Sequence, residues 1–395
     1  MTNLNYYLWL QGALGIAPSN AGYIFEMYHS AEEIYRDSPM QRRMANVFTP
    51  AQISKMESLY LEDTYKTVEQ CASLGVDIVT YEDNSYPYYL RQISDFPIVL
   101  YVKGSLETLS RKIPIAIVGT RDATPQRLTA ATELSRCLSK CGFAVVSGGA
   151  IGIDSAAHTG AISVGEETFA VLGGGHGSKY LKTNEPLRNV IAKNGATISE
   201  WPPFTEPHKG TFPIRNRIIS GMTVGTIVVE AKKKSGSLIT VNRANDQGRD
   251  VMALPGVEIE DIPNVFQMPL DIVGFYLNKF ADKITIDESV DLSIDLTTIG
   301  NDVVNYNQEF KKIKTADREI KEEELRRKRS KKREITDPIS ENARRVYAAF
   351  GADPLSINKL EETMAMPLTD LLGALTELEV FGYVELLADT NYVIK

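Results

Sequence analysis

The sequence predicts an α/β protein, built on a Rossmann-like doubly wound parallel sheet with a helical N-terminal domain and a winged-helix-like C-terminal domain. Three observations carry this. Between residues 113 and 254, short apolar runs that suit buried strands alternate with stretches of helical period. Near-continuous apolar strands separated by helices imply a parallel sheet covered on both faces. At 306–334 the apolar content collapses and charge dominates, and beyond it a compact pattern of three helices and a short hairpin returns.

Taken in order, residues 1–70 are helical in pattern, broken by a Gly-Ile-Ala-Pro-Ser-Asn turn at 15–20 ahead of Ala21, Ile24 and Phe25. A turn feeding a helix in this way suits a small SAM-like or helix-hairpin-helix-like domain, and equally a helical cap on the sheet. Residues 75–110 carry further β-like runs and turn prolines that extend the sheet, so the Rossmann-like domain is expected over 75–290. Its strands are expected at IAIV (115–118), FAVV (143–146), TFAVL (168–172), ATIS (196–199), TIVVE (226–230) and VMAL (251–254). Thr124 is placed to cap a helix opened by Pro125, with Leu128, Ala131, Leu134 and Leu138 at helical spacing and Gly142 as its stop. Asp154, Asn184 and Ser237 are expected to cap three more helices, which end at Gly165, Gly195 and Gly248. Residues 300–334 read as a charged linker or solvated helix, and the basic run Arg326 to Arg333 within them as solvated surface. Residues 335–395 read as the winged helix; its Glu361, Glu362, Asp370 and Glu377 make a protein contact as reasonable as DNA.

Composition narrows the function. A chain of 395 residues exceeds what one core holds, so more than one domain is expected. With 43% hydrophobic and 24% charged residues it resembles ordinary globular proteins, and no apolar run approaches the roughly 20 residues of a membrane helix. The N-terminus lacks a basic segment ahead of its apolar one and the chain has three cysteines, so a soluble protein of the reducing cytoplasm is expected. A net charge of −8 has the wrong sign for coating nucleic acid, so any polyanion site must be a local patch. There is no G-x-x-x-x-G-K-[ST] segment, which argues against ATP hydrolysis. His29, His158, His176 and His208 have no ligand-spaced partners, and Cys137 with Cys141 reads as a packed helical pair, so neither metal nor other cofactor is expected.

In a parallel sheet the loops after each strand converge on one edge, where ligands settle. After the first strand comes Gly119-Thr120-Arg121; after the second, Ser147-Gly148-Gly149 leads to Asp154, with glycines that let the backbone point amides at an oxygen-rich ligand. The third loop supplies Lys179 and Lys182, the fourth runs through 201–221 with Phe212, Arg215, Asn216 and Arg217, and the fifth holds Lys232 to Lys234, Ser235, Gly236 and Ser237. Singly, each has a structural reading: a glycine for tight helix packing, an arginine bracing the fold, Asp154 capping its helix, Glu230 clamping a cation. Together they describe a phosphate groove wider than a mononucleotide needs, with guanidinium forks for bidentate contact and Phe212, Trp201 or Phe204 as a stacking face.

With these residues in view, the chain resembles the DprA/Smf family of bacterial DNA-processing proteins. The matching blocks are Tyr86-Pro87, Pro97 to Gly104, Gly119-Thr120-Arg121, Ser147 to His158, Phe212 to Gly221, Val229-Glu230-Ala231, Ser235 to Thr240 and Leu254-Pro255-Gly256. The resemblance implies a non-catalytic dimer that binds single-stranded DNA on its Rossmann-like domain and assists loading of the RecA recombinase during natural transformation, with single-strand-binding protein as a further partner. It assigns DNA contact to Arg121, Lys182, Phe212, Arg215, Asn216 and Arg217, with Ser147, Gly148, Gly149 and Ser235 to Ser237 contributing backbone or hydroxyl groups. The chain departs from the family pattern after Gly256, where it reads VEIEDIPNVFQMPLDIVGF, and at Leu181, where proline is common. A competing resemblance, to the LOG-type phosphoribohydrolases, would make Glu230 catalytic. It lacks their Pro-Gly-Gly-x-Gly-Thr segment, having Gly-Met-Thr-Val-Gly-Thr at 221–226.

Overall fold

The computed structural model describes residues 3–179, 184–232, 235–257, 264–299, 303–329, 332–387 and 391–395, without the side chains of 303–310 and 314. It divides into two compact units, Met1–Lys314 and Thr315–Lys395.

The first unit begins with six helices, from Asn3–Leu14 to Asp63–Leu74. Two of them, Pro39–Ala45 and Pro50–Ser58, start with capping boxes (Ser38 with Gln41, Thr49 with Gln52) and a proline in the first turn, so their orphan amides are satisfied locally. Tyr7, Trp9, Leu10, Ile24 and Ile34 from these helices are buried, in one core with the adjoining sheet face. The helices therefore share an apolar core with the sheet.

Among the described residues the sheet has nine strands: β1 (Asp77–Thr80), β2 (Val99–Gly104), β3 (Ile113–Gly119), β4 (Phe143–Ser147), β5 (Thr168–Val171), β6 (Gly195–Ser199), β7 (Gly225–Glu230), β8 (Asp250–Ala253) and β9 (Asn264–Val265). Their order is β1-β2-β6-β5-β4-β3-β7-β8-β9. β3 to β9 are parallel, as the apolar runs predict, whereas β2 pairs antiparallel with β6 and β1 antiparallel with β2. The chain moves outward from β3 to β6, then returns to lay β7 on the other side of β3. The switch point lies between β3 and β7, and a crevice is expected beyond their C-terminal ends. There the ladder slips, with Val118 opposite Val228 but Gly119 opposite Glu230. An irregularity of this kind splays strand ends beside a site.

The capping expectations divide. Thr124 does accept the Arg127 amide at the start of Pro125–Lys140. Asp154, Asn184 and Ser237 make no such cap: Gly152, Asn184 and Gly236 occupy the cap positions without a side-chain bond, and Asp154 accepts from Ala150 N behind its own helix at 3.3 Å. The Phe212–Gly221 block, expected in a loop, lies in the helix Thr211–Gly221. Proline at the third position is tolerated because first-turn amides have no intrahelical acceptor. Among the described residues no helix is long and apolar enough to cross a membrane.

Past residue 332, the described residues of the second unit form three helices, Glu341–Ala349, Ile357–Met364 and Leu368–Val380, and a three-stranded sheet of β10 (Leu355–Ser356), β11 (Val384–Leu386) and β12 (Asn391–Ile394) in the order β10-β12-β11. Val346, Phe350, Leu360, Leu371, Leu375 and Leu378 form its core. The charged stretch is helical over Val303–Arg329, a helix that crosses the boundary at Lys314; residues 318–328 are mostly exposed, whereas Ile313 and Asp317 are buried.

Candidate nucleic-acid interface

At the switch point the structure opens a cleft of about 470 Å³. Its walls are the β3 loop (Gly119, Thr120, Arg121), the cleft side of Thr211–Gly221 (Phe212, Arg215, Asn216) and the β7 loop (Ser235, Gly236, Ser237), with Asp154 also lining it. Four separate chain segments therefore meet there. They come so close because glycines remove side chains where a Cβ cannot fit. A Cβ on Gly119 would sit 2.5 Å from Ile153 Cγ1, and one on Gly148 would lie 2.4 Å from Arg215 Nη1 and 2.5 Å from Asp154 Oδ2.

Arg121 and Phe212 form the outer part. The exposed Arg121 guanidinium lies over the Phe212 ring, 5.2 Å from its centroid. Such a pair fixes a guanidinium plane at the cleft mouth while its N–H edge stays available to an oxyanion. Deeper in, the buried Arg215 donates from Nη1 to Gly148 O at 2.6 Å and to Val171 O. It ties the β4 and β5 ends together and carries its charge to the cleft wall. Beside it, burial pushes the Asp154 carboxyl above the ordinary carboxylate range, and the Arg215 charge opposes that shift. Asn216 donates from Nδ2 to Gly236 O at 3.3 Å, holding the β7 loop to the helix. Ser235 and Ser237 hydroxyls bond each other at 2.7 Å.

The other residues singled out from the sequence sit elsewhere. Arg217, on the far side of the same helix, is 1% exposed and bonds Glu200 Oε2 at 2.5 Å, with Asp95 at 3.6 Å. It braces the fold and does not line the cleft. Ser147 is fully buried and donates to Ile117 O at 2.7 Å, so its hydroxyl serves the β3–β4 junction. Gly149 provides a left-handed turn (φ 64°), and its carbonyl accepts from Asn184 Nδ2. Gly148 faces a smaller adjoining pocket, also lined by Arg121, Phe212, Arg215 and Arg188. Lys179 is exposed but lines neither cavity. Lys182, Lys233 and Lys234, Leu181 and residues 258–263 of the atypical segment after Gly256 lie outside the described residues.

Sequence reasoning missed Lys209 and Arg188. Lys209 lines the main cleft from the loop after β6, and its signal was present as a cation three residues before Phe212. Arg188 lies inside a helix, where no loop argument reaches it. Two histidines add no charge near neutrality: burial lowers His158 to about 3 and His176 to about 4. Glu230 does not line the cleft; its carboxylate accepts the Thr124 amide at 3.0 Å, holding the start of the following helix.

These features define a doubly wound α/β protein with an arginine-bearing, glycine-walled cleft at its topological switch point, followed by a winged helix. Comparison with known proteins agrees. The family model for DNA recombination-mediator protein A matches residues 77–262, and that for the DprA winged helix domain matches residues 330–389. Protein Smf of Synechocystis is 30% identical over 333 residues, spanning 81% of this chain and 80% of its own length. DNA processing protein DprA of Bacillus subtilis is 42% identical over 182 residues, 46% of this chain and 61% of the relative. The chain belongs to the DprA/Smf family. The X-ray structure of DprA from Streptococcus pneumoniae superposes with a TM-score of 0.58 at 29% identity, covering 69% of this chain and 98% of that one. Matches to the DprA relatives of B. subtilis and S. pneumoniae span about three fifths of their length.

Proposed function

We propose that this protein binds single-stranded DNA in the β3/β7 cleft and acts as a non-catalytic DNA-processing factor. The observation that carries the reading is the Arg121–Phe212 pair at the mouth of a cleft whose inner wall is Arg215. Guanidinium groups supply phosphate contacts, and an aromatic ring offers a stacking surface to an unpaired base, which a duplex keeps in its own stack. The family's names, which speak of DNA processing and recombination mediation, support the same reading. Through the family resemblance we extend it to a cytoplasmic homodimer that hands incoming single strands to the RecA recombinase in natural transformation, with single-strand-binding protein as a further partner. Nothing in the cleft requires a cofactor for this.

Titration of the protein with matched single-stranded and duplex oligonucleotides tests the core of the reading. Preference for the single strand, with affinity independent of sequence, is expected, because phosphate contacts position without specifying. Equal affinity for duplex would overturn it.

A further inference from the structure

The third helix of the C-terminal unit, Leu368–Val380, is the element that a DNA-reading helix-turn-helix would place in the major groove. It contains no lysine or arginine, and three carboxylates. From Ser356 to Leu387 the only cation is Lys359, 3.6 Å from Glu362, against six carboxylates at 361, 362, 370, 377, 379 and 385. DNA affinity rests on cations that replace counterions at phosphates, so this face repels the duplex it would have to enter.

What the helix offers instead is apolar. Its inner side, Leu371, Ala374, Leu375 and Leu378, is buried in the core of the unit. On the outer side Leu368, Leu372 and Val380 are 44%, 40% and 77% exposed, and Phe381 follows at 37%. Thr376 lies four residues from both Leu372 and Val380 and donates its hydroxyl to Leu372 O at 2.8 Å, which leaves its methyl to continue the stripe. Glu377 is occupied within the unit: it accepts from Ser340 N and Oγ at 2.8 and 2.6 Å, at the start of Glu341–Ala349. Asp370, Glu379 and Glu385 remain as exposed carboxylates on this helix and the adjoining strand.

We propose that this outer face is a docking surface for a protein partner whose own contact is an apolar patch ringed by lysine and arginine. Single exposed apolar residues are ordinary, but three on one helix with Phe381 just past its end, and acidic neighbours, make the pattern of an interaction site. The acidic surroundings select the occupant. Opposite charge steers and registers a partner, whereas a second copy docking symmetrically by the same face would set carboxylates against carboxylates. The proposal rests on the second unit alone and uses no residue assigned to the DNA cleft.

The test uses the full chain and three probes: a leucine-striped helical peptide flanked by lysines, its glutamate-flanked twin, and a short DNA duplex. The lysine peptide should bind more than about tenfold more tightly than the twin. Leu372→Asp should abolish that binding while leaving the melting temperature and single-strand affinity unchanged. The double charge reversal Asp370→Lys with Glu379→Lys should invert the preference between the peptides. Equal binding of the two peptides, no binding of either, indifference to Leu372→Asp, or displacement of the lysine peptide by the duplex would each overturn the proposal.

Discussion

The helix Thr211–Gly221 has two sides that teach different things from almost the same residues. On one side Arg215 meets the carbonyl oxygens of Gly148 and Val171 beside the cleft. On the other, two residues on, Arg217 meets the carboxylate of Glu200 in the interior. Glu200 also accepts the Ala17 amide at 3.1 Å, and its carbonyl accepts from Gln11 Nε2 at 3.0 Å, so the Arg217 side ties the sheet to the N-terminal helices. An arginine neutralised by a buried acid is a brace. One held by carbonyl oxygens at a cavity wall, beside the Asp154 carboxyl, lines the space a ligand would enter.

The largest effect is expected from Arg217→Ala. It strands the Glu200 carboxylate in the interior, and a loss of about 3–5 kcal/mol in unfolding free energy is expected by denaturant titration. Replacing Arg217 with Met and Glu200 with Leu together should restore most of that loss, because no charge is then left unpaired. Next in size is Gly148→Ala, whose new methyl must displace Arg215 or Asp154. A stability cost of about 1–3 kcal/mol is expected from the overpacking, accompanied by loss of single-strand affinity. Arg121→Ala should reverse the signature of Arg217→Ala: affinity for single strands falls about tenfold while the melting temperature stays unchanged.

The smallest effect sharpens the cleft side. Burial already raises the Asp154 carboxyl, and nearby DNA phosphates would disfavour its charged form further. The bound state then holds more proton than the free state between the two pKa values, so affinity should fall as pH rises through that window above the ordinary carboxylate range. Asp154→Asn should flatten the profile, read by fluorescence anisotropy. His158 and His176, lowered by burial to about 3 and about 4, are neutral near pH 7.

Much of this was legible in the sequence, for reasons that differ by element. The parallel strands are visible because a strand buried on both faces must be continuously apolar, as IAIV and FAVV are. The glycine loops are visible because close backbone approach leaves only one residue type. The antiparallel edge was not, since β1 and β2 have the same composition whichever way they run. The capping roles of Asp154 and Ser237 failed because other contacts claimed both side chains: Asp154 lies beside Arg215 and accepts the Ala150 amide, and Ser237 bonds Ser235 within its own loop. Nor could spacing assign Arg215 and Arg217 to opposite sides until the block proved to be helical. Two residues along a helix turn a side chain by roughly 200°, which a loop reading ignores.

A salt series with a single-stranded oligonucleotide, comparing the native protein with Arg121→Ala, probes the cleft most directly. The native protein should show log affinity falling linearly with log salt, at about −0.7 per phosphate contact, and the variant should have a slope shallower by about that one contact. A flat response in the native protein, or identical slopes for the two, would contradict the claim that the β3/β7 cleft holds the strand by its phosphates.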